Sequence, residues 1–112
     1  MSGSLLVTYD WSTGIRATTA NIGDFKWYNA CMTFSETTGA PSNNAVIYLN
    51  GVAILTTTIK NTPSYQVQIG NGGPYATQFF SGSIGLAQVY NRVLSAAEVL
   101  QNYNQLKSRF NL

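Results

Sequence analysis

The sequence predicts an all-β sandwich that is followed by one C-terminal amphipathic helix. Seven short apolar or alternating segments are separated by turn residues, which is the pattern of a sandwich. Asn50-Gly51 between two apolar segments is the strongest short-range signal for a β-hairpin. Ser95 and Glu98 have the spacing of a capping box, which marks the start of a helix.

Length and composition bound the architecture and the surface. The length predicts one domain over residues 1–112, with strands between about residues 4 and 91 and a helix over about residues 95–107. Charged residues make up only 9% of the chain, whereas Ser, Thr, Asn and Gln together supply 39 residues. We therefore expect a neutral, polar surface, which suits an extracellular protein, a virion protein or a subunit of a large assembly. An ordinary all-β domain rich in Thr and Asn is the alternative interpretation.

The first elements are a hairpin and a separate strand. Leu5, Val7 and Tyr9 alternate with other residues, residues 10–14 supply a turn, and residues 15–19 alternate again, which predicts a hairpin. Residues 28–35 form the next strand, and we expect one of its two faces to be core. The polar loop that follows contains Pro and Gly and is long enough to vary or to bind.

The Asn50-Gly51 hairpin is apolar on both faces. A two-residue loop sets the register, so that Leu49 is expected opposite Val52 and Ile47 opposite Ile54. Such a hairpin is either covered on both sides or presents one side to another subunit. The candidate assembly-interface residues are therefore Ile47, Leu49, Val52 and Ile54.

The C-terminal third predicts two more strands and the helix. Apolar and polar residues alternate over residues 65–69, which predicts a strand with one solvent-exposed face. Residues 80–90 are predicted to form a final buried strand. Leu94 before the cap can pack on Val99 as a hydrophobic staple. The helix carries one apolar stripe and is expected to lie on the sheet; the stripe consists of Val99, Tyr103, Leu106 and Phe110.

The ionisable residues exclude several classes of site. The chain has no histidine, which excludes Ser-His and Cys-His catalysis and most zinc sites. Its carboxylates are Asp10, Asp24, Glu36 and Glu98, and Glu98 is expected in the helix cap. We therefore expect no catalytic residue, no metal site and no cofactor. A calcium site that combines Asp10, Asp24 or Glu36 with Asn side chains is the alternative.

The charge and the N-terminal sequence argue against nucleic-acid and membrane partners. The net charge of +2 comes from six basic residues spread over the chain, so we expect no nucleic-acid partner. Residues 1–10 lack a basic head and a long apolar run, which predicts neither a signal peptide nor membrane insertion. Cys31, the single cysteine, is expected to be a buried free thiol.

Three motifs occur in the order seen in a known family. They are Phe80-x-Gly82-x-Ile84 with the following Tyr-Asn-Arg-x-Leu-Ser and Ala-Glu-Val segments, Trp27 at the start of a strand, and Tyr48-Leu49-Asn50-Gly51. Together they resemble the laminin G-like and pentraxin-like jelly rolls of the concanavalin A-like lectin/glucanase superfamily, of the kind found in tailed-phage structural proteins. The resemblance covers about residues 27–103.

The resemblance implies a shortened jelly-roll β-sandwich, because only 26 residues precede Trp27. It implies a core position for Trp27. The family's catalytic Glu-x-Asp-x-x-Glu strand is missing, and Gly85-Leu86 stands where many relatives carry an acidic pair, which argues against enzymatic activity and inherited metal binding. A shortened sandwich has exposed edges, so we expect partners that cover them, either other virion proteins or copies of the chain.

Three functions remain open at this point. The first is a non-enzymatic structural or capsid-decoration subunit of a phage virion, located in the particle and acting through protein–protein contacts. The second is a carbohydrate-binding module, with candidate glycan contacts at Asp10 and Trp11 on a hairpin tip and at Asn71 and Tyr75 on a glycine-rich loop. The third is a fragment of a longer tail-fibre or lectin chain. Both aromatic residues could equally be packing residues.

Overall fold

The computed structural model describes residues 5–10, 14–22, 26–35, 43–58 and 82–112, and it describes the first two strands by their backbone alone. The strands are β1 (Leu5–Asp10), β2 (Gly14–Asn21), β3 (Ala30–Phe34), β4 (Ala45–Leu49) and β5 (Val52–Thr57), and the helix is α1 (Ala96–Leu106). The predicted class, a shortened all-β sandwich with one C-terminal helix, is confirmed. The predicted strand over residues 65–69 lies outside the described residues.

β1 and β2 form an antiparallel hairpin, as predicted. Asp10 lies opposite Gly14 and Val7 opposite Ala17, and the register shifts between Leu5 and Val7. The second sheet has the order β3-β4-β5, with both pairs antiparallel. β4 is therefore its central strand.

The Asn50-Gly51 turn closes the β4–β5 hairpin in the predicted way. Both residues have positive φ angles, 50° and 78°, which the two-residue hairpin turn requires. The Asn50 side chain also ties the turn to the sheet: its Oδ1 accepts from the Asn29 backbone N–H at 2.9 Å. The Asn50 N–H donates in turn to the Asn29 carbonyl at 2.8 Å. The turn thus positions the chain that leads into β3.

The predicted register of this hairpin is correct at its tip and wrong beyond it. Leu49 lies opposite Val52, but Ile47 lies opposite Leu55 rather than Ile54. An extra residue in β5 shifts the register between Tyr48 and Ile47, and Ile54 has no opposite residue. The shift brings Thr57 rather than Thr56 opposite the buried Ala45. As a result, Thr57 is buried and Thr56 is exposed.

The core lies on both faces of β4. Tyr48 packs with Leu94 and Val99 on one face, and Cys31 and Val46 contact this cluster from their half-buried positions. Ala45 and Ile47 are buried on the other face. Of the two faces of β3, the one that carries Cys31 and the buried Thr33 lies toward the core cluster.

Helix α1 begins with the predicted capping box. The Ser95 hydroxyl accepts from the Glu98 N–H at 3.1 Å, and the Glu98 carboxylate accepts from the Ser95 N–H at 3.0 Å. Arg92 donates to both carboxylate oxygens of Glu98. The Arg92 hydrogen bond, with that of the Ser95 N–H, lowers the pKa of Glu98 from 4.5 to about 2. Leu94 and Val99 flank the cap and are both buried, as the staple predicts.

The predicted final strand is wrong over its described part. Residues 82–90 belong to no strand and are all exposed. Among the described residues, no hydrogen bond involves residues 82–89. Apolar residues in this stretch suggested a strand, but a strand also needs a hydrogen-bonded neighbour, and a local pattern carries no information about one. The last described strand therefore ends at Thr57, not near residue 91.

The charge on Glu98 makes helix stability depend on pH. Because folding lowers the pKa of Glu98, its contribution is fully present above the unfolded pKa of about 4.5 and is lost as the pH falls through about 2. We expect thermal unfolding midpoints of wild type to exceed those of Glu98→Gln at pH 7, with the difference shrinking between about pH 4.5 and 2. A difference that stays constant over that range would contradict the assignment.

Candidate assembly surface

Residues 84–93 expose large apolar side chains in one stretch of the chain, which we name the apolar run. Its five large apolar members are between 42% and 73% exposed; they are Ile84, Leu86, Val89, Tyr90 and Val93. Single exposed apolar residues are ordinary, but five large ones within ten residues of the chain make this segment a candidate interaction surface. The apolar run is therefore the strongest candidate for a functional surface in the described part of the chain.

Polar contacts attach the apolar run to the start of helix α1. The Asn102 amide donates to the Tyr90 hydroxyl at 3.2 Å. Arg92 is held by Glu98, and Leu94 is buried against Tyr48 and Val99. The C-terminal end of the run is thus positioned by the helix. Residues 82–89, which precede Tyr90, form no hydrogen bond with other described residues.

Much of the apolar run lines an open cleft of about 1170 Å³. Residues 26–33 also line it, as do Leu94, Val99 and Leu106. The charged side chains among the described lining residues are Lys26 and Arg92, and Arg92 is neutralised by Glu98. The cleft is therefore an apolar space with little charge of its own.

Two aromatic residues that line the cleft, Trp27 and Phe110, contact each other. The rings of Trp27 and Phe110 lie 5.2 Å apart between centroids, tilted by 49°. The guanidinium of Arg109 lies 5.4 Å from the centroid of the Phe110 ring. Phe110 follows the helix, which ends at Leu106, so its predicted place on the helical stripe is wrong; its ring packs against Trp27 instead.

Trp27 is not a core residue, contrary to expectation. It is 45% exposed, because its packing partner is Phe110 at the surface rather than the interior of the sheet. Gly85 makes this contact possible. A Cβ at Gly85 would lie 2.5 Å from Phe110 Cε1 and 3.4 Å from Trp27 Cζ3. In the sequence, Gly85 stands out only because many relatives have an acidic residue at this position. The structure shows that the missing side chain leaves room for the Phe110 ring.

The predicted assembly residues do not form one exposed surface. Val52 is 61% exposed, Leu49 and Ile54 are half-buried, and Ile47 is buried in the core of the chain. An interface through these residues stays a prediction, and Val52 is the member that a partner can reach. The run at residues 84–93 was missed because it was assigned to a buried strand.

The predicted glycan-binding residues cannot be assembled into a site. Trp11, Asn71 and Tyr75 lie outside the described residues, and Asp10 ends β1 with only its backbone described. Carbohydrate binding through them stays a prediction. The described residues contain no group of three or more His, Cys, Asp or Glu side chains that could hold a metal ion; Asp24 and Glu36 are outside them.

Cys31 is a free, half-buried thiol beside the core cluster. Burial raises its pKa, which disfavours the reactive thiolate. Within the described ranges, no helix has both the length and the apolar character needed to cross a bilayer.

Comparison with known proteins gives one family and one structural neighbour. The family model described as the concanavalin A-like lectin/glucanases superfamily matches residues 3–100. A crystal structure of an S-layer domain-containing protein from Clostridium thermocellum (residues 221–444) aligns with a TM-score of 0.56 at 19% identity. The alignment covers 80% of this chain but only 44% of that one, so the chain spans less than half of its structural neighbour. No curated protein sequence matches the chain.

A methyl group at Gly85 tests the packing of the Phe110 ring against Trp27. Gly85→Ala places a carbon against the far end of the Phe110 ring, which must move away from Trp27, and we expect a loss of about 1 kcal/mol in the free energy of unfolding. Urea unfolding measures it. In a Phe110→Ala background the same substitution should cost much less, because the ring is gone. An equal cost in both backgrounds would show that the ring contact is not the reason for glycine.

Proposed function

Since the chain belongs to the concanavalin A-like lectin/glucanase superfamily, we propose that it is a non-enzymatic structural module of this family that acts through contacts with other polypeptides. In its specific form the proposal is a decoration subunit of a phage virion, in which neighbouring subunits cover the surfaces that the shortened sandwich leaves open.

The exposed apolar run is the observation that carries this proposal. Five large apolar side chains are costly to leave in contact with water. Contact with another polypeptide removes this cost, because it buries the side chains. Structural subunits make such contacts with their neighbours in the assembled particle.

The chemistry of the described residues favours a non-enzymatic role. Glycoside hydrolysis, the enzymatic activity of the superfamily, requires two carboxyl groups on either side of the scissile bond. Glu98 is the one described carboxylate side chain, and it is committed to Arg92 and the helix cap. The absence of histidine from the sequence removes the usual general base as well.

Composition supports a place in a particle. With 9% charged residues, the chain lacks the charge that keeps crowded monomers apart, whereas a packed subunit does not need it. The description of the structural neighbour as an S-layer domain-containing protein agrees with a structural role. Carbohydrate binding, and a piece of a longer fibre or lectin chain, are the alternative functions.

Mass spectrometry of purified virions from the source of the sequence tests the proposal. We expect the chain at a fixed copy number per particle. Val89→Lys should lower its incorporation at least tenfold, because Val89 is 73% exposed and a charge there would be buried in the assembly.

Gln105→Lys is the matched control, because it adds the same charge at an exposed polar residue of helix α1 outside the apolar run, and it should be incorporated about as well as wild type. Absence of the wild-type chain from particles would overturn the structural role. Glycan-array binding that survives Val89→Lys in a chain absent from particles would favour the carbohydrate-binding alternative.

A further inference from the structure

The turn that follows helix α1, residues 107–112, carries an aromatic side chain onto two other parts of the molecule. The Phe110 ring packs on Trp27, which precedes β3, with 5.2 Å between the two ring centroids. The same ring approaches Gly85 so closely that a Cβ there would lie 2.5 Å from Phe110 Cε1. Phe110 therefore connects two segments that are far apart in the sequence, the approach to β3 and the first half of the apolar run.

The backbone of this turn holds Phe110 in position. The Leu112 N–H donates to the Lys107 carbonyl at 2.8 Å, and Asn111 between them has a φ of 56°, in the left-handed region. A left-handed residue followed by this hydrogen bond is the Schellman closure of a helical turn. Asn is one of the few residues other than Gly that adopt this conformation readily. The closure at Asn111 thus fixes the direction of the residue before it, which is Phe110.

Helix α1 gives the turn a fixed base on the β4–β5 hairpin. A Cβ at Gly51 would lie 2.8 Å from Tyr103 Cδ1 and 3.0 Å from Leu100 Cδ1, so the second half of the helix sits directly on the hairpin tip. The helix also reaches the second half of the apolar run, because the Asn102 amide donates to the Tyr90 hydroxyl. The helix and the turn after it therefore contact both halves of the run.

We infer that residues 107–112 are a strap that holds the first half of the apolar run and can open without unfolding the sheet. In the closed state the Phe110 ring sits against Trp27 and Gly85. The ring is only half-buried, and a contact of this kind lies at the low end of local stability. In the open state the ring has left, Trp27 is more exposed, and the first half of the run moves independently of the sheet. The inference concerns how the run is held, so it stands or falls separately from the proposed function.

Tryptophan quenching tests the position of the ring. Trp11→Phe leaves Trp27 as the single tryptophan of the full chain. Phe110→Ala should raise the acrylamide quenching constant of Trp27 roughly 1.5-fold, since the ring no longer shields part of the indole. Asn111→Val should raise it too, although the ring is kept, because a β-branched residue disfavours a positive φ. Asn111→Gly accepts that φ and is the matched control, which should leave the constant unchanged. A constant that Phe110→Ala and Asn111→Val leave unchanged would overturn the inference.

Distance measurements test the hold on the apolar run. Nitroxide labels are attached through Ser83→Cys and Thr56→Cys, both at exposed positions, in a Cys31→Ser chain, and pulsed electron paramagnetic resonance gives the distribution of distances between them. Phe110→Ala and Asn111→Val should widen this distribution roughly twofold, whereas Asn111→Gly should not. Circular dichroism of each variant checks that the fold is kept. A distribution that is already broad with the strap intact, or one that Phe110→Ala leaves narrow, would refute the strap.

Discussion

The docking of helix α1 on the central strand β4 is the contact on which the rest of the described structure depends. Leu94 and Val99 are buried against Tyr48, and their positions at either side of the capping box fix where the helix starts and how it lies. The apolar run leads directly into this contact, because Leu94 follows its last residue.

Features set by neighbouring residues in the chain could be predicted from the sequence. The Asn50-Gly51 turn needs two positive φ angles, and the cap needs Ser95 three residues before Glu98; both requirements are local. The bulge at Ile54 could not be predicted, because apolar residues on both sides of it fit either register. Its consequence is that Thr57, rather than Thr56, lies buried opposite Ala45.

The exposure of the apolar run could not be predicted from the sequence either. An apolar segment predicts burial, but the sequence does not say what will bury it. Trp27 was expected inside for that reason, and it packs instead on Phe110 over Gly85 at the surface. Contacts between residues more than 20 positions apart in sequence decide these outcomes. The family and the fold class could be recognised from the sequence, whereas the exposed apolar residues could be identified only from the structure. A shared fold does not define a function, and the function proposed here is therefore argued from that surface.

The position of Cys31 has a practical consequence for following the molecule in solution. The single thiol of the chain lies against the cluster that joins helix to sheet, and burial raises its pKa, which disfavours the reactive thiolate. Because Cys31 is only half-buried, alkylating reagents react with it slowly in the folded chain and faster in molecules whose helix has separated from the sheet. An increase in the modification rate therefore reports more frequent separation, without any added label.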